Sequence, residues 1–137
     1  MIAALILSDL LRAQLAAEAR AAFPRECCGL IEGRIERPTL HVTALHPTRN
    51  LSDAVDRFEI DPAEHIRLLR MLRGTGRDIL GCYHSHPNGR AEPSDTDRDR
   101  AIDEGFVWLV QPLTATAASA PAAYVFGEGR FMPLMLG

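Results

Sequence analysis

A chain of 137 residues, 47% hydrophobic and 24% charged, has the composition of one globular domain, long enough to bury a core and too short for two. A net charge of −3 gives no basic surface of the kind nucleic acid requires. Three cysteines, two of them adjacent at Cys27 and Cys28, argue against an extracellular disulfide framework and fit a reducing cytoplasm.

Met1 to Leu7 is apolar but short, has no basic flank and soon meets Asp9. It reads as a buried first strand and as neither a signal peptide nor a membrane span. Ser8 caps a helix over about Asp9–Ala22, with Leu11, Leu15, Ala19 and Ala22 or Phe23 as its apolar stripe, and Pro24 stops it. Glu26 stands at the mouth of an apolar strand, Cys28 to Glu32. Gly33 and Pro38 bracket a turn, after which Leu40, Val42 and Ala44 alternate as a strand. His41 and His46 fall in or just after it, without ligand spacing to any other histidine, and read as structural or exposed.

A polar loop from Arg49 to Arg57 leads to a short strand at Phe58–Ile60. Asp61-Pro62-Ala63-Glu64 then opens a helix, with an acidic cap, proline at the first position and an acid at the third. It runs to Arg73 before Gly74, with Ile66, Leu69 and Leu72 inward; Arg67, Arg70, Arg73 and Arg77 could form a basic face for an acidic partner but read first as a solvated helix surface. Near the C-terminus, Phe106–Val110 is a nearly continuous apolar run, as in a covered strand. Ala122–Phe126 and Arg130–Leu134 flank Gly127-Glu128-Gly129 as a hairpin. Alternating strands and helices predict an α/β domain over residues 1–137, a mixed β-sheet with helices packed on its faces.

Between these elements, the run from Ile79 through His84-Ser85-His86-Pro87 reads as a strand whose end projects two imidazoles from one face. A Pro/Asn/Gly loop follows, then Ser94 caps a helix over about Asp95–Asp103, with Asp95 and Asp97 in its first turn. Read singly, each half has an ordinary explanation. Most His-x-His pairs bind nothing, and acids after a cap complement the helix dipole. Together, a strand end carrying His84 and His86 and a helix start carrying a carboxylate can converge on a divalent ion. That donor set suits zinc with a fourth position open to water. Asp95 and Asp99 are rival carboxylates, turned away from the direction of Asp97 on a helix, and Cys82 shares the histidine face but lies deeper.

The string H-S-H-P-x6-S-x-x-D from His84 to Asp97, preceded far upstream by Glu26 before Cys27-Cys28-Gly29 and an apolar strand, resembles the signature of the JAMM (MPN+) metallopeptidases. The resemblance spans almost the whole chain. It implies a fold similar in outline to the zinc deaminases, zinc held by His84, His86 and Asp97, Glu26 as the acid–base residue, and the Ser94 hydroxyl helping to bind an oxyanion. Asn50 falls where related domains often carry an asparagine near the active site. The short chain leaves little room for the insertions of the eukaryotic isopeptidases, so a compact bacterial branch is the nearer comparison. There the implied partner is the tail of a ubiquitin-like sulfur-carrier protein, cut after its Gly-Gly.

Phage-tail or cell-wall peptidases of the same family are the alternative. A non-catalytic MPN scaffold is another, although such scaffolds typically lack the ligands this chain has in full. A nucleoside deaminase would need an H-x-E and P-C-x-x-C pattern, whereas position 86 is histidine and no Cys-x-x-Cys occurs.

Overall fold

The computed structural model describes residues 2–137, so the first residue of the expected N-terminal strand, Met1, lies outside the described residues. The elements in order are β1 (Ala4–Ile6), α1 (Asp9–Ala22), β2 (Cys28–Glu36), β3 (Thr39–Thr48), α2 (Pro62–Met71), β4 (Asp78–His86), α3 (Asp95–Arg100), β5 (Val107–Pro112), β6 (Ala122–Gly127) and β7 (Arg130–Leu136). No helix among the described residues is long and apolar enough to cross a membrane.

The sheet is mixed and carries helices on both faces, as expected, but it is not open. Its strands run β1-β3-β2-β4-β5-β6-β7 and close on themselves. Closure depends on β1, three residues long, which lies parallel to β3 on one side and to β7 on the other. β4 and β5 are also parallel; the remaining pairs are antiparallel.

Period-two alternation along the central strands divides the core into two clusters. Ile31, Tyr83, Val107 and Leu109 pack with Leu5, Leu40 and the α1 residue Leu15. Their neighbours Leu30, Cys82 and Trp108 pack on the other face with Leu68 of α2 and Leu72, its C-cap. Every residue of β5 is buried, which is why its sequence is an unbroken apolar run. Gly29 lets the two central strands pack closely: a Cβ there would overlap the Tyr83 ring. Tyr83, fully buried, crosses that space to donate its hydroxyl hydrogen to Glu18 Oε1 at 2.7 Å, tying β4 to α1.

Five local expectations are corrected. Phe58–Ile60 is not a strand: the Phe58 carbonyl accepts from Arg100 Nη1 and the Glu59 carbonyl from the amide of Leu51, so no ladder forms. The last helix ends at Arg100, not near Asp103. Its sequence DTDRDR offers no apolar stripe to hold further turns, and Ala101 leaves it extended and buried. α2 stops at Met71, and the inward residues are Leu68 and Leu72, while Ile66 and Leu69 are exposed. Gly33 lies at a register slip inside β2, which continues to Glu36 before the turn at Arg37-Pro38. Arg77 is also not simply solvated: its Nη1 lies 2.9 Å from the buried carboxylate of Glu32.

Candidate metal centre

β4 ends at His86, so His84 and His86 project from one face while Tyr83 and Ser85 take the other. α3 begins opposite them with a reciprocal capping box. Ser94 Oγ accepts from the amide of Asp97 at 3.0 Å, and the amide of Ser94 donates to Asp97 Oδ2 at 2.9 Å. The cap folds the Asp97 carboxylate back toward the strand end. One local motif therefore starts the helix and aims an oxygen at the histidines.

Three donor atoms meet there. His84 Nε2 and His86 Nε2 lie 2.9 Å apart, and each is 3.0 Å from Asp97 Oδ2. All three side chains are buried. A tetrahedral zinc with bonds of about 2.0–2.1 Å separates its donors by about 3.3–3.4 Å, so the triangle is a slightly contracted face of that tetrahedron.

The hydrogen count also fits a cation. The carbonyl of Arg90 lies 3.0 Å from His86 Nδ1, which places a proton on that nitrogen and, in the neutral ring, turns the Nε2 lone pair into the cluster. His84 Nδ1 has no hydrogen-bond partner. Burial holds the His84 pKa below its ordinary value and so keeps that imidazole neutral, the form that binds metal. Burial would likewise lower His86, but Asp97 and Glu26 outweigh it and raise its pKa. For Asp97, burial is overcome by the two imidazoles and the Ser94 amide, which hold its carboxyl well below the usual range. The pocket attracts positive charge and presents lone pairs to it.

Glu26 is buried beside the two imidazoles, 4% exposed. Its carboxylate, His84 and His86 offer donor atoms within 4.8 Å of one another, so this trio too could hold a metal. Asp97 is the tighter third donor, because its oxygen is already 3.0 Å from both imidazole nitrogens. Glu26 Oε1 has no partner. Burial raises the Glu26 pKa to about 8, with Asp97 and Asp56 adding to the rise and His86 opposing it. Glu26, His86 and Ser94 line one cavity of about 350 Å³ with Phe23, Pro24 and Val55. A second cavity of about 440 Å³ lies beside Asp97, floored by Leu30, Cys82 and Trp108 and covered by Phe58.

The rival side chains named from the sequence lie elsewhere. The Asp95 side chain is 97% exposed and paired with Arg98, Asp99 is exposed, and Cys82 is packed among Leu30, Leu68 and Trp108. His46 is held by Glu32, 2.9 Å away, remote from the donors in role as expected. Asn50 lies beside the site: its Nδ2 donates to the carbonyls of Glu26 and Arg57 at 3.1 and 3.2 Å. Sequence reasoning did not find Phe58, whose ring stacks on His84, nor the side chain of Ser85, which binds the amide of Cys27. Only Ser85 left a signal, as a small polar residue turned inward between two candidate ligands.

The sequence and the fold resemble those of known proteins. The family of prokaryotic homologs of the JAB domain matches residues 9–128. The chain is 40% identical over 88 residues to the desampylase of Haloferax volcanii, a match covering 64% of this chain and 62%, less than two thirds, of that protein. It is 31% identical over 127 residues to a probable TtuB-protein conjugate cleaving protease of Thermus thermophilus, covering 91% and 75%. The solution structure of a Desulfitobacterium hafniense protein superposes with a TM-score of 0.85 at 27% identity, covering 96% and 90%. A capped helix and a strand end that close on one buried point, in a fold and sequence matched from Asp9 to Glu128, make this chain a member of the prokaryotic JAB family, the JAMM-type group its motif resembles.

Proposed function

We propose that residues 1–137 form a single zinc peptidase domain that hydrolyses an amide bond after the Gly-Gly tail of a ubiquitin-like sulfur-carrier protein. The observation that carries this reading is the convergence of His84 Nε2, His86 Nε2 and Asp97 Oδ2 within 3.0 Å, next to Glu26, whose buried Oε1 has no partner and whose side chain lines a cavity with His86. The names of the desampylase and of the TtuB-conjugate protease support the substrate class. Three free cysteines, two of them buried, agree with a reducing cytoplasm.

His84, His86 and Asp97 would hold the zinc. Bound there, zinc supplies Lewis acidity, polarising the scissile carbonyl and lowering the pKa of a water toward about 7. Glu26 takes a proton from the attacking water and returns it to the departing nitrogen. Its carboxyl suits both transfers, because it is buried beside the imidazoles and no hydrogen bond occupies Oε1. The Ser94 oxygen accepts the Asp97 amide, and its own hydrogen remains free to donate to the oxyanion. Phe58 and Trp108 keep bulk water from His84, which strengthens every charge interaction at the site.

The deciding experiment measures metal and turnover together. The purified protein should hold about one zinc per chain and trim a carrier ending in Gly-Gly plus one residue. Stoichiometric metal retained in a His84→Ala/His86→Ala double variant would overturn the ligand assignment. Metal binding without cleavage of any tail would overturn the peptidase reading.

A further inference from the structure

The strand that carries the histidines also grips the segment that carries Glu26. Ser85 lies between His84 and His86 in sequence, faces the opposite side of β4 and is fully buried. Its Oγ accepts the hydrogen of the Cys27 amide at 2.8 Å, and its own amide donates to the Cys27 carbonyl at 3.1 Å. β2 pairs with β4 from Cys28 opposite His84, so Cys27 and Ser85 are the next couple outward. In a continuing antiparallel ladder the Cys27 amide would bond the Ser85 carbonyl. Bonding the hydroxyl instead lets the chain turn out of the sheet at Glu26 without leaving a buried donor unmet.

On the other side, Asn50 Nδ2 donates to the Glu26 carbonyl at 3.1 Å. Asn50 is itself fixed, because its Oδ1 accepts from the amides of Ser52 and Glu59 at 2.9 and 3.0 Å. The Glu26 carbonyl and the Cys27 amide belong to one planar peptide unit. That plane is bolted at one end by Ser85 and at the other by Asn50. The Glu26 carboxyl, by contrast, leaves Oε1 unbonded.

We infer that Ser85, with Asn50 as its counterpart, is the positioning residue for Glu26, holding the peptide so that the carboxyl is aimed without spending its own hydrogen bonds. The inference rests on the reading of Glu26 as the proton carrier. It links two functions in one strand: alternate residues of β4 present the imidazoles on one face and fix the base-bearing segment from the other.

The test compares Ser85→Ala, Ser85→Thr and Asn50→Asp with Glu26→Gln and Tyr83→Phe. Tyr83→Phe removes a buried hydrogen bond from the same face of the same strand without touching the Glu26–Cys27 peptide. Metal content, exchange of the Cys27 amide in the metal-loaded protein and turnover of a fluorogenic peptide ending in Gly-Gly are read for each. Ser85→Ala should keep its metal, exchange the Cys27 amide roughly tenfold or more faster, and lose on the order of tenfold to hundredfold in kcat with KM unchanged. Ser85→Thr, which keeps the hydroxyl, should restore most of both, and Tyr83→Phe should alter neither. Added to Glu26→Gln, Ser85→Ala should cost no further turnover, because the two act as a unit.

Unchanged exchange in Ser85→Ala, or a kcat loss that adds in full to that of Glu26→Gln, overturns the inference. Normal turnover in Glu26→Gln overturns the reading of Glu26 instead, and fast Cys27 exchange in Ser85→Ala identifies that case. If Ser85→Ala does not fold, Asn50→Asp decides from the other end of the peptide. It keeps the two acceptor contacts but sets a carboxylate oxygen against the Glu26 carbonyl, and must give the same kcat loss at unchanged KM.

Discussion

Phe58 lies face-on over His84, with ring centroids 4.4 Å apart and planes 22° from parallel. Trp108 meets the same imidazole edge-on at 5.7 Å. This apolar enclosure is why burial dominates His84 and holds it neutral. Phe58 comes from a coil with no ladder of its own, fastened by Arg100, whose Nη1 lies 2.5 Å from the Phe58 carbonyl. Phe58→Ala should therefore admit water to the imidazole and loosen its orientation. We expect metal affinity to fall roughly tenfold, the lower end of the effect seen for groups around a metal site. Competition with a chelator measures it, and an unchanged affinity would show that the stack only fills space.

Glu26 and Ser94 line the same cavity but should separate by phenotype. Glu26→Gln keeps the size of the side chain and removes its capacity to carry a proton. Metal should stay, and turnover should drop by about 10²–10⁴-fold. Loss of metal in that variant would make Glu26 a ligand. Ser94→Ala removes the acceptor for the Asp97 amide and should cost about 1 kcal/mol of stability as a lost N-cap. If the hydroxyl also meets the oxyanion, turnover falls with metal retained; if activity is intact at reduced stability, Ser94 is a cap alone.

A second charged cluster sits away from the candidate metal centre. Glu32, 3% exposed, accepts from Thr43 Oγ1 at 2.6 Å and contacts His46 Nε2 and Arg77 Nη1, each at 2.9 Å. Burial alone would raise its pKa, but Thr43, His46 and Arg77 outweigh it and hold the carboxyl below its ordinary 4.5. A depressed folded value means that the folded state binds the proton less tightly than the unfolded one. The stabilisation is thus fully present above about pH 4.5 and is lost as pH falls through the lower folded value. Glu32→Gln should cost roughly 1–3 kcal/mol at pH 7, discounted toward the lower end because Arg77 is half in solvent. Urea unfolding of both proteins at pH 7 and pH 3.5 tests this: the gap between them should shrink in acid, and a constant gap would refute it.

What the sequence revealed and what it hid follow from the range of the interactions. The approach of His84, His86 and Asp97 was legible because two short-range rules suffice, alternation on a strand and an N-cap three residues before an acid. The closed sheet was not, because it depends on three residues of β1 bridging β3 and β7 across the length of the chain. α2 misled because Ile66, Leu68, Leu69 and Leu72 support two overlapping apolar stripes, and only contact with Leu30 and Trp108 chooses Leu68. Phe58, a lone aromatic in a polar loop, has no periodic neighbours to mark its face, and its meaning comes from His84, distant in sequence.

The 350 Å³ cavity at Glu26 and the 440 Å³ cavity beside Asp97 share Thr96 in their walls, and residues 55–60 contribute to both. An extended chain lying past the donors would pass between β4's end and this segment, which bears Val55 and Asp56 on one side and Phe58 and Ile60 on the other. Glycine suits such a passage, since its backbone can approach the donors without a Cβ clash and can adopt whatever torsions the bend needs. Main-chain hydrogen bonds would then supply affinity, and the narrowness of the passage would supply selectivity. A carrier ending in Gly-Gly plus one residue should be trimmed, whereas the same carrier ending in Ala-Ala plus that residue should lose about tenfold or more in kcat/KM, the scale of one or two badly placed methyl groups. Mass spectrometry of the two carriers after equal exposure reads the difference. Equal trimming of both tails would remove glycine selectivity from the reading, and cleavage of cell-wall peptides with neither tail touched would assign the chain to the peptidase branch that acts on them.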